Sequence, residues 1–261
     1  MAENSKIEWT EHTFNPWWGC TKVSPACDNC YAEAWAKRTG HSVWGAKADR
    51  RLLSDSHWKN PIRWNEISRE TGIRARVFCA SMADVFEWKT GLSSLRDRLW
   101  SLIEQTPDLD WLLLTKRPHL VDRLAPWADQ WPENVWLGTT VESQKFAEKR
   151  MHHLLSIPAK VRFLSCEPLL GPIDLSEWIG GVHWIIAGGE SGPGARQSHP
   201  DWFRSLRDQC TNADVGFHFK QWGDWFPIED SPENVQFERR GKKRSGRRLD
   251  GRTWDELPVG V

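Results

Sequence analysis

The sequence has little that would tie it to a charged polymer or to a membrane. Lys plus Arg and Asp plus Glu both number 35, so the formal net charge is zero. Bulk charge then supplies no attraction to nucleic acid or to an anionic bilayer, and any basic surface must be local. No apolar run approaches the roughly 18 residues that a membrane span requires. The N-terminal Met1-Ala-Glu-Asn-Ser-Lys-Ile-Glu8 is polar and acidic and does not read as a signal peptide. The six cysteines are therefore expected to be thiols in a reducing cytoplasm. Tyrosine is nearly missing, with one residue against 19 Trp. Large aromatics of this kind mostly build cores and rims, though a few beside a site can stack on a flat ligand. No internal repeat and no low-complexity linker is visible.

What is present is an alternation. A chain of 261 residues is comfortable for one α/β barrel or one doubly wound domain. Short apolar runs predict strands at Arg76–Ala80, Trp111–Thr115, Val135–Thr139, Val161–Ser165, His183–Ala187 and Gly216–Lys220, with a further one around Thr13–Trp18. Between them, apolar residues at helical spacing predict helices over Ser93–Glu104, Ser143–Leu155 and His199–Cys210. Strands alternating with helices argue for parallel βα units. Seven such strands predict an α/β fold with a TIM-like, partial parallel β/α barrel, and an open doubly wound sheet is the alternative. The expected division is a barrel over 1–230 and a basic C-terminal segment over 231–261, packed on the barrel or extending from it.

Each apolar run stops at polar or acidic residues. The stops are Ser81-Met-Ala-Asp84, Thr115-Lys-Arg-Pro118, Gly138-Thr-Thr-Val-Glu142, Ser165-Cys-Glu-Pro168, Gly188-Gly-Glu-Ser-Gly192 and Lys220-Gln-Trp222. In a parallel barrel such ends share the face on which active sites are built.

Cys20, Cys27 and Cys30 lie within eleven residues, in Asn15-Pro-Trp-Trp-Gly-Cys-Thr-Lys-Val-Ser-Pro-Ala-Cys-Asp-Asn-Cys-Tyr31. Three thiolates this close can hold a metal centre and leave one coordination position open, on a zinc or on the unique iron of a 4Fe–4S cluster. A zinc site needs a fourth ligand, such as His12, His41 or water, and there is no second Cys-x-x-Cys hook. The residues alone leave three readings open: iron–sulfur, structural zinc, or unligated thiols. Cys79, Cys166 and Cys210 are isolated, and the first two fall in or beside strands as expected core thiols.

With the cysteines after a first strand, the βα alternation and the polar strand ends, the chain resembles the radical SAM superfamily. Its spacing, Cys-x6-Cys-x2-Cys, departs from that superfamily's usual Cys-x3-Cys-x2-Cys. Asn15-Pro-Trp-Trp-Gly-Cys20, Leu114-Thr-Lys-Arg-Pro118, Trp136-Leu-Gly-Thr-Thr-Val-Glu142, Phe163-Leu-Ser-Cys-Glu-Pro-Leu-Leu-Gly-Pro172, Gly188-Gly-Glu-Ser-Gly192, Phe219-Lys-Gln-Trp-Gly223 and Gly241-Lys-Lys-Arg-Ser-Gly-Arg-Arg-Leu-Asp-Gly251 resemble a phage-associated family catalogued as proteins of unknown function. The chain is similar, more distantly, to the spore photoproduct lyase branch, which acts on DNA.

The resemblance implies a 4Fe–4S cluster on Cys20, Cys27 and Cys30, with S-adenosylmethionine (SAM) chelating the open iron. It implies reductive cleavage of SAM to methionine and a 5′-deoxyadenosyl radical that abstracts hydrogen, with the cofactor carrying the chemistry. The reaction type, whether isomerase, lyase or transferase, stays open. It further implies an external electron donor and a cytoplasmic site, the host's if the chain is phage-encoded. By the same resemblance Ser81 and Asp84 are candidates for the SAM amino group, and Lys116 for its carboxylate or a phosphate. Glu142 and Glu167 are candidates for ribose or substrate. Gly188 and Gly189 allow close approach of a ligand to the backbone, and Glu190 is a candidate for a ribose hydroxyl or the substrate. For each of these residues a structural salt bridge is the competing role.

Arg239-Arg-Gly-Lys-Lys-Arg-Ser-Gly-Arg-Arg248 carries seven cations and no acid. In a neutral chain this concentration either forms a solvated loop or binds phosphate. Trp225 and Trp254 flank it and can stack bases. The expected substrate is a nucleic-acid base or nucleotide docked through this segment. The alternatives are a small molecule or peptide, or a non-catalytic zinc-binding nucleic-acid module.

Overall fold

The structure is a computed structural model that describes residues 5–231 and 234–258. Residues 1–4, 232–233 and 259–261, which belong to the expected barrel and basic segments, lie outside the described residues. The chain divides into two compact units, one of residues 1–23, 32–138 and 156–160, the other of residues 24–31, 139–155 and 161–261.

The first unit holds β1 (His12–Thr13), β2 (Trp17–Trp18), most of α1 (Tyr31–Arg38), β3 (Arg51–Leu52), α2 (Asp55–Trp58), α3 (Asn60–Thr71), β4 (Ala75–Cys79), α4 (Ser93–Glu104), β5 (Leu109–Thr115) and α5 (Val121–Leu124). β4 pairs in parallel with β1 on one side and with β5 on the other. Helix α3 starts with Pro61 in its first turn and stops at Gly72, whose φ of 69° is the left-handed conformation that ends helices. Helix α4 turns Leu99, Trp100, Leu102 and Ile103 inward. The strand expected around Thr13–Trp18 is in fact two short strands, because Pro16 between them has no N–H for a ladder. Only β1 joins the main sheet; β2 pairs antiparallel with β3.

The second unit holds α6 (Gln144–Leu155), β7 (Arg162–Cys166), β8 (Trp184–Gly188), α7 (Pro200–Ala213), β9 (Gly216–Gln221), the antiparallel pair β10 (Trp225–Ser231) and β11 (Asn234–Arg239), and the single turn α8 (Lys242–Ser245). Between α5 and α6 runs β6 (Val135–Thr140), whose last residues belong to this unit. β8 pairs in parallel with β7 and with β9. Helix α6 buries Phe146, Ala147, Arg150, Met151 and Leu154, a single stripe at helical spacing. Every residue of β6 and of β8 is buried, as parallel strands covered on both faces require.

Seven strands form one sheet in the order β1, β4, β5, β6, β7, β8, β9. The order follows the chain without reversing, whereas a doubly wound sheet reverses at a switch point. The fold is therefore α/β of the partial TIM-like type. The aromatic excess goes inward: Trp17, Trp111 and Trp184 are among the largest fully buried side chains, while Trp35 and Trp88 are exposed. Cys79 and Cys166 are buried, as expected, and so is Cys210. Among the described residues no helix is long and apolar enough to cross a membrane.

Candidate metal centre

Cys20 follows β2 through Gly19. That glycine has φ 114°, and a Cβ there would sit 2.2 Å from the Val43 carbonyl oxygen, so the close approach admits no side chain. Before it, Asn15 fastens the end of β1 to the loop after β4. Its side chain accepts from the Met82 N–H (2.7 Å) and donates to Ser81 Oγ (3.0 Å). Arg117, just beyond β5, donates from Nη1 to Cys20 Sγ (3.6 Å) and to Asp84 Oδ2 (2.7 Å), and from Nη2 to the Thr21 carbonyl (2.7 Å).

Asp84 is saturated. Oδ1 accepts from the Phe86 N–H and the Thr115 hydroxyl, and Oδ2 from the Lys116 N–H and Arg117. Four donors use about four lone-pair positions, the whole capacity of a carboxylate. Glu87 lies 3.9 Å from Arg117 and is held by a two-pronged bond from Arg50, which also binds Thr21 Oγ1 and three carbonyls. Burial pushes the free Cys20 thiol up to about 12, with Asp84 and Glu87 acting in the same direction and Arg117 against them. For Arg117 burial disfavours the charge, but Asp84 and Cys20 outweigh it and hold the guanidinium protonated.

Cys27 and Cys30 belong to the second unit. Pro25–Cys27 forms one 3-10 turn, and Ser24 Oγ lies 4.0 Å from Cys27 Sγ. The loop is fastened through Glu190, at the end of β8. Glu190 Oε2 accepts from Asn29 Nδ2 (3.1 Å) and from the Arg196 N–H (2.9 Å) and Nε (2.8 Å), and Oε1 accepts from Arg196 Nη2 (2.6 Å). Burial raises the Glu190 carboxyl pKa, but the bonds from Arg196 and Asn29 outweigh it, and the net shift is downward. Arg196 Nη2 also reaches the Pro25 carbonyl (2.9 Å), and Asn29 Nδ2 the Gly194 carbonyl (2.7 Å).

The neighbouring strand ends carry the remaining carboxylates. Lys220 binds Glu167 at 2.9 and 3.0 Å. A Cβ on Gly188 would meet the Glu167 side chain, and one on Gly189 would sit 1.9 Å from the Trp222 carbonyl oxygen. Gly189 thus serves backbone packing within the chain. Glu142 is fully buried, with Oε2 on Arg150 (2.6 Å), while Glu142 Oε1 and the nearby Thr140 Oγ1 are buried without a hydrogen-bond partner.

The donor set suits a thiolate-bound metal centre. Cys20, Cys27 and Cys30 are free thiols at half-exposed positions, whereas Cys79, Cys166 and Cys210 are buried. Burial pushes the Cys79, Cys166 and Cys210 thiols well up; it does the same to Cys20, where the Arg117 guanidinium on the sulfur works against the shift. Among the described residues no three His, Cys, Asp or Glu side chains already converge on a metal position. Of the two candidate zinc histidines, His12 stacks on Trp64 and His41 meets Trp18 edge-on.

The family described as DUF5131, protein of unknown function, matches residues 4–258. The chain belongs to the DUF5131 family. No curated protein sequence matches it. Two solved structures are similar to this DUF5131 chain. One is a double mutant of spore photoproduct lyase with bound AdoMet and dinucleoside spore photoproduct, at TM-score 0.48 and 14% identity, over 88% of this chain and 60% of that one. The other is a Tyr-to-Phe mutant of spore photoproduct lyase, at TM-score 0.49 and 12% identity, over 91% of this chain and 70% of that one. The DUF5131 chain thus spans about 60% of the length of the first.

In this DUF5131 chain the structure gathers the expected residues into two groups. In the first unit Cys20, Asp84 and the backbone of Lys116 are joined through Arg117 and Asp84, and Ser81 is held by Asn15. Cys27, Cys30, Glu142, Glu167, Gly188, Gly189 and Glu190 lie in the second, with Arg196 in the field of Glu142 as well as Glu190. Arg117, Arg196 and Asn29 join these groups without having stood out in the sequence as site residues. Arg117 stood in a strand-end motif beside Lys116, and Asn29 stood between two of the cysteines. Arg196 carried no signal, since its partners are brought to it by the fold.

Proposed function

We propose that this chain is a radical SAM enzyme with one 4Fe–4S cluster on Cys20, Cys27 and Cys30. The observation that carries the reading is the division of the six cysteines. The three clustered in sequence are half-exposed and follow the first strand of a parallel sheet, and the three isolated ones are core. The sequence motifs that resemble the superfamily point the same way. When bound, such a cluster supplies the electron for reductive cleavage of SAM and so a hydrogen-abstracting radical.

The chain's own residues hold and shield this chemistry. Arg117 places a guanidinium against the Cys20 sulfur, where a cation favours the thiolate. Glu142 and Glu167 keep acceptor capacity for hydroxyl or amino groups of SAM or substrate, Glu142 through its unpartnered Oε1. Ser81, held by Asn15, and Lys116, whose N–H binds Asp84, are further SAM-binding candidates, and Gly188 lets the Glu167 side chain pack against the backbone.

For the substrate, a nucleic-acid base or nucleotide is the first choice, from the local basic segment. A second reading, a small molecule, is favoured by how that segment is used. Arg239 caps the Gly192 and Pro193 carbonyls, Arg240 pairs with Glu238, Arg244 binds the Arg240 carbonyl, Arg247 pairs with Asp255 and Arg248 binds the Gly251 carbonyl. Trp225 and Trp254 already carry guanidiniums, from Arg239 and from Arg207 and Arg252.

The test is anaerobic. The protein is reconstituted with iron and sulfide, reduced, and given SAM with or without single-stranded oligonucleotide, and 5′-deoxyadenosine is measured for wild type and Cys27→Ala. Deoxyadenosine from wild type only supports the reading, and stimulation by oligonucleotide selects the first substrate class. A full cluster without deoxyadenosine, or colourless protein holding zinc, overturns it.

A further inference from the structure

Glu190 stands in the most ligand-like stretch of the chain, Gly188-Gly-Glu-Ser-Gly192, and its carboxylate is nevertheless consumed. It accepts four hydrogen bonds, three from Arg196 and one from Asn29. Oε2 takes three of them and Oε1 the fourth, so most of the roughly four lone-pair sites of the carboxylate are spent within the chain. Both donors lead to one place. Asn29 lies between Cys27 and Cys30, and Arg196 reaches the carbonyl of Pro25 and, at 3.5 Å, the carboxylate of Asp28. The contact is close-fitting as well as polar, since a Cβ on Gly194 would lie 2.5 Å from Asn29 Oδ1.

The 189–196 segment is itself fastened. Gly189 N–H binds the Gln221 carbonyl, the Gln221 amide returns to the Gly189 carbonyl and to Ser191 Oγ, and the Asp224 N–H binds the Glu190 carbonyl. Trp225 Nε1 holds the Ala195 carbonyl at 2.7 Å. A short loop with a single 3-10 turn has little to order it alone. Here it is tied to a strand end that cannot drift.

We propose that Glu190, through Arg196 and Asn29, is a positioning residue that fixes the backbone of the Cys27–Cys30 loop before any metal arrives. The role rests on the reading that Cys27 and Cys30 are metal ligands. Ordering the loop in advance lowers the entropy lost when the thiolates are gathered, which is what outer residues around metal ligands commonly supply. In this role Glu190 spends its carboxylate on the cysteine loop rather than on SAM or substrate.

The six cysteines provide the test. The full-length, metal-free protein is pulsed anaerobically with iodoacetamide, and alkylation at each cysteine is followed by mass spectrometry. Glu190→Gln weakens the clamp at its centre, and Asn29→Ala removes one arm while leaving the Glu190–Arg196 pair. In both variants Cys27 and Cys30 are expected to react about tenfold faster than in wild type, the scale of losing one hydrogen bond to a charged group. Cys20 keeps its wild-type rate, and Cys79, Cys166 and Cys210 stay protected, which shows that the fold is intact. After reconstitution, iron is lost to a chelator correspondingly faster.

Unchanged rates at Cys27 and Cys30 in both variants overturn the proposal. So does equal acceleration at all six cysteines in both, which is global loosening. Because the labelling is done without metal or SAM, it is independent of the deoxyadenosine assay. Loop-specific acceleration with no deoxyadenosine sinks the radical SAM reading and leaves the clamp standing. Deoxyadenosine with unchanged labelling does the reverse.

Discussion

Cys20 is approached by Arg117, and the Cys27–Cys30 loop by Arg196, each arginine locked to a carboxylate that has four donors. Arg117 and Asp84 are 7% and 8% exposed, and the arginine touches the sulfur itself. Arg196 is 33% exposed against 5% for Glu190, and it touches loop backbone and no sulfur. The first pair places charge on the Cys20 sulfur from inside a buried network that includes Glu87 and Arg50. The second places geometry on a loop from its rim. A buried pair is costly to break because its partner is left as an uncompensated charge, whereas a partly exposed one is relieved by water. The two sides of the cysteine segment therefore share a motif and differ in what breaking it does.

The largest expected difference is in stability. Arg117→Ala leaves the buried Asp84 without its cation, while Glu87 keeps Arg50, and is expected to cost about 3–5 kcal/mol. Arg196→Ala leaves Glu190 with Asn29 and a backbone N–H, and is expected to cost about 1–2 kcal/mol. Urea unfolding of the two variants reads both numbers, and equal costs would break the comparison.

Two glycines of the second unit sharpen it next. Gly189→Ala drives a methyl into the Trp222 carbonyl, which is backbone and cannot step aside. The expected loss is at least about 1–3 kcal/mol. Gly194→Ala meets only the end of the Asn29 side chain, which can rotate away. It should leave the melting temperature nearly unchanged while raising alkylation at Cys27 and Cys30. A large stability loss from Gly194→Ala would show that the rim contact is core-like after all.

The smallest effect is in acid. The Glu190 pKa is lowered in the folded chain, against burial, by Arg196 and Asn29. A depressed carboxylate contributes stability that is fully present above its unfolded value of about 4.3 and is lost as pH falls through the lower folded value. The stability gap between wild type and Glu190→Gln should be constant near neutrality and close in that acid range. A gap that widens on acidification contradicts the assignment.

The expected strands were legible because buried parallel strands are continuous apolar runs. Val135–Thr139 and His183–Ala187 lie within one or two residues of β6 and β8. Helix α6 was legible from its single stripe. The strand at Thr13–Trp18 was misread as one piece because its apolar content hides the break at Pro16. Helix α3, Asn60–Thr71, escaped notice because most of its residues are polar and its buried positions include Asn65 and Ser68. The hairpin of β10 and β11 escaped for a related reason, since Pro227 and several acids interrupt its apolar content.

By itself the sequence determined the α/β class, the grouping of three cysteines apart from three isolated ones, and the polar character of each strand end. These are local properties, set by the periodicity of apolar residues and by spacing along a few residues of chain. The tertiary structure alone decided which arginine meets a cysteine and which carboxylates are already spent. Arg117 reaches Cys20 across 97 residues, and Asn29 reaches Glu190 across 161. Hydrogen-bond capacity is used up by whichever donors the fold brings within about 3 Å. No pattern along the chain records that choice.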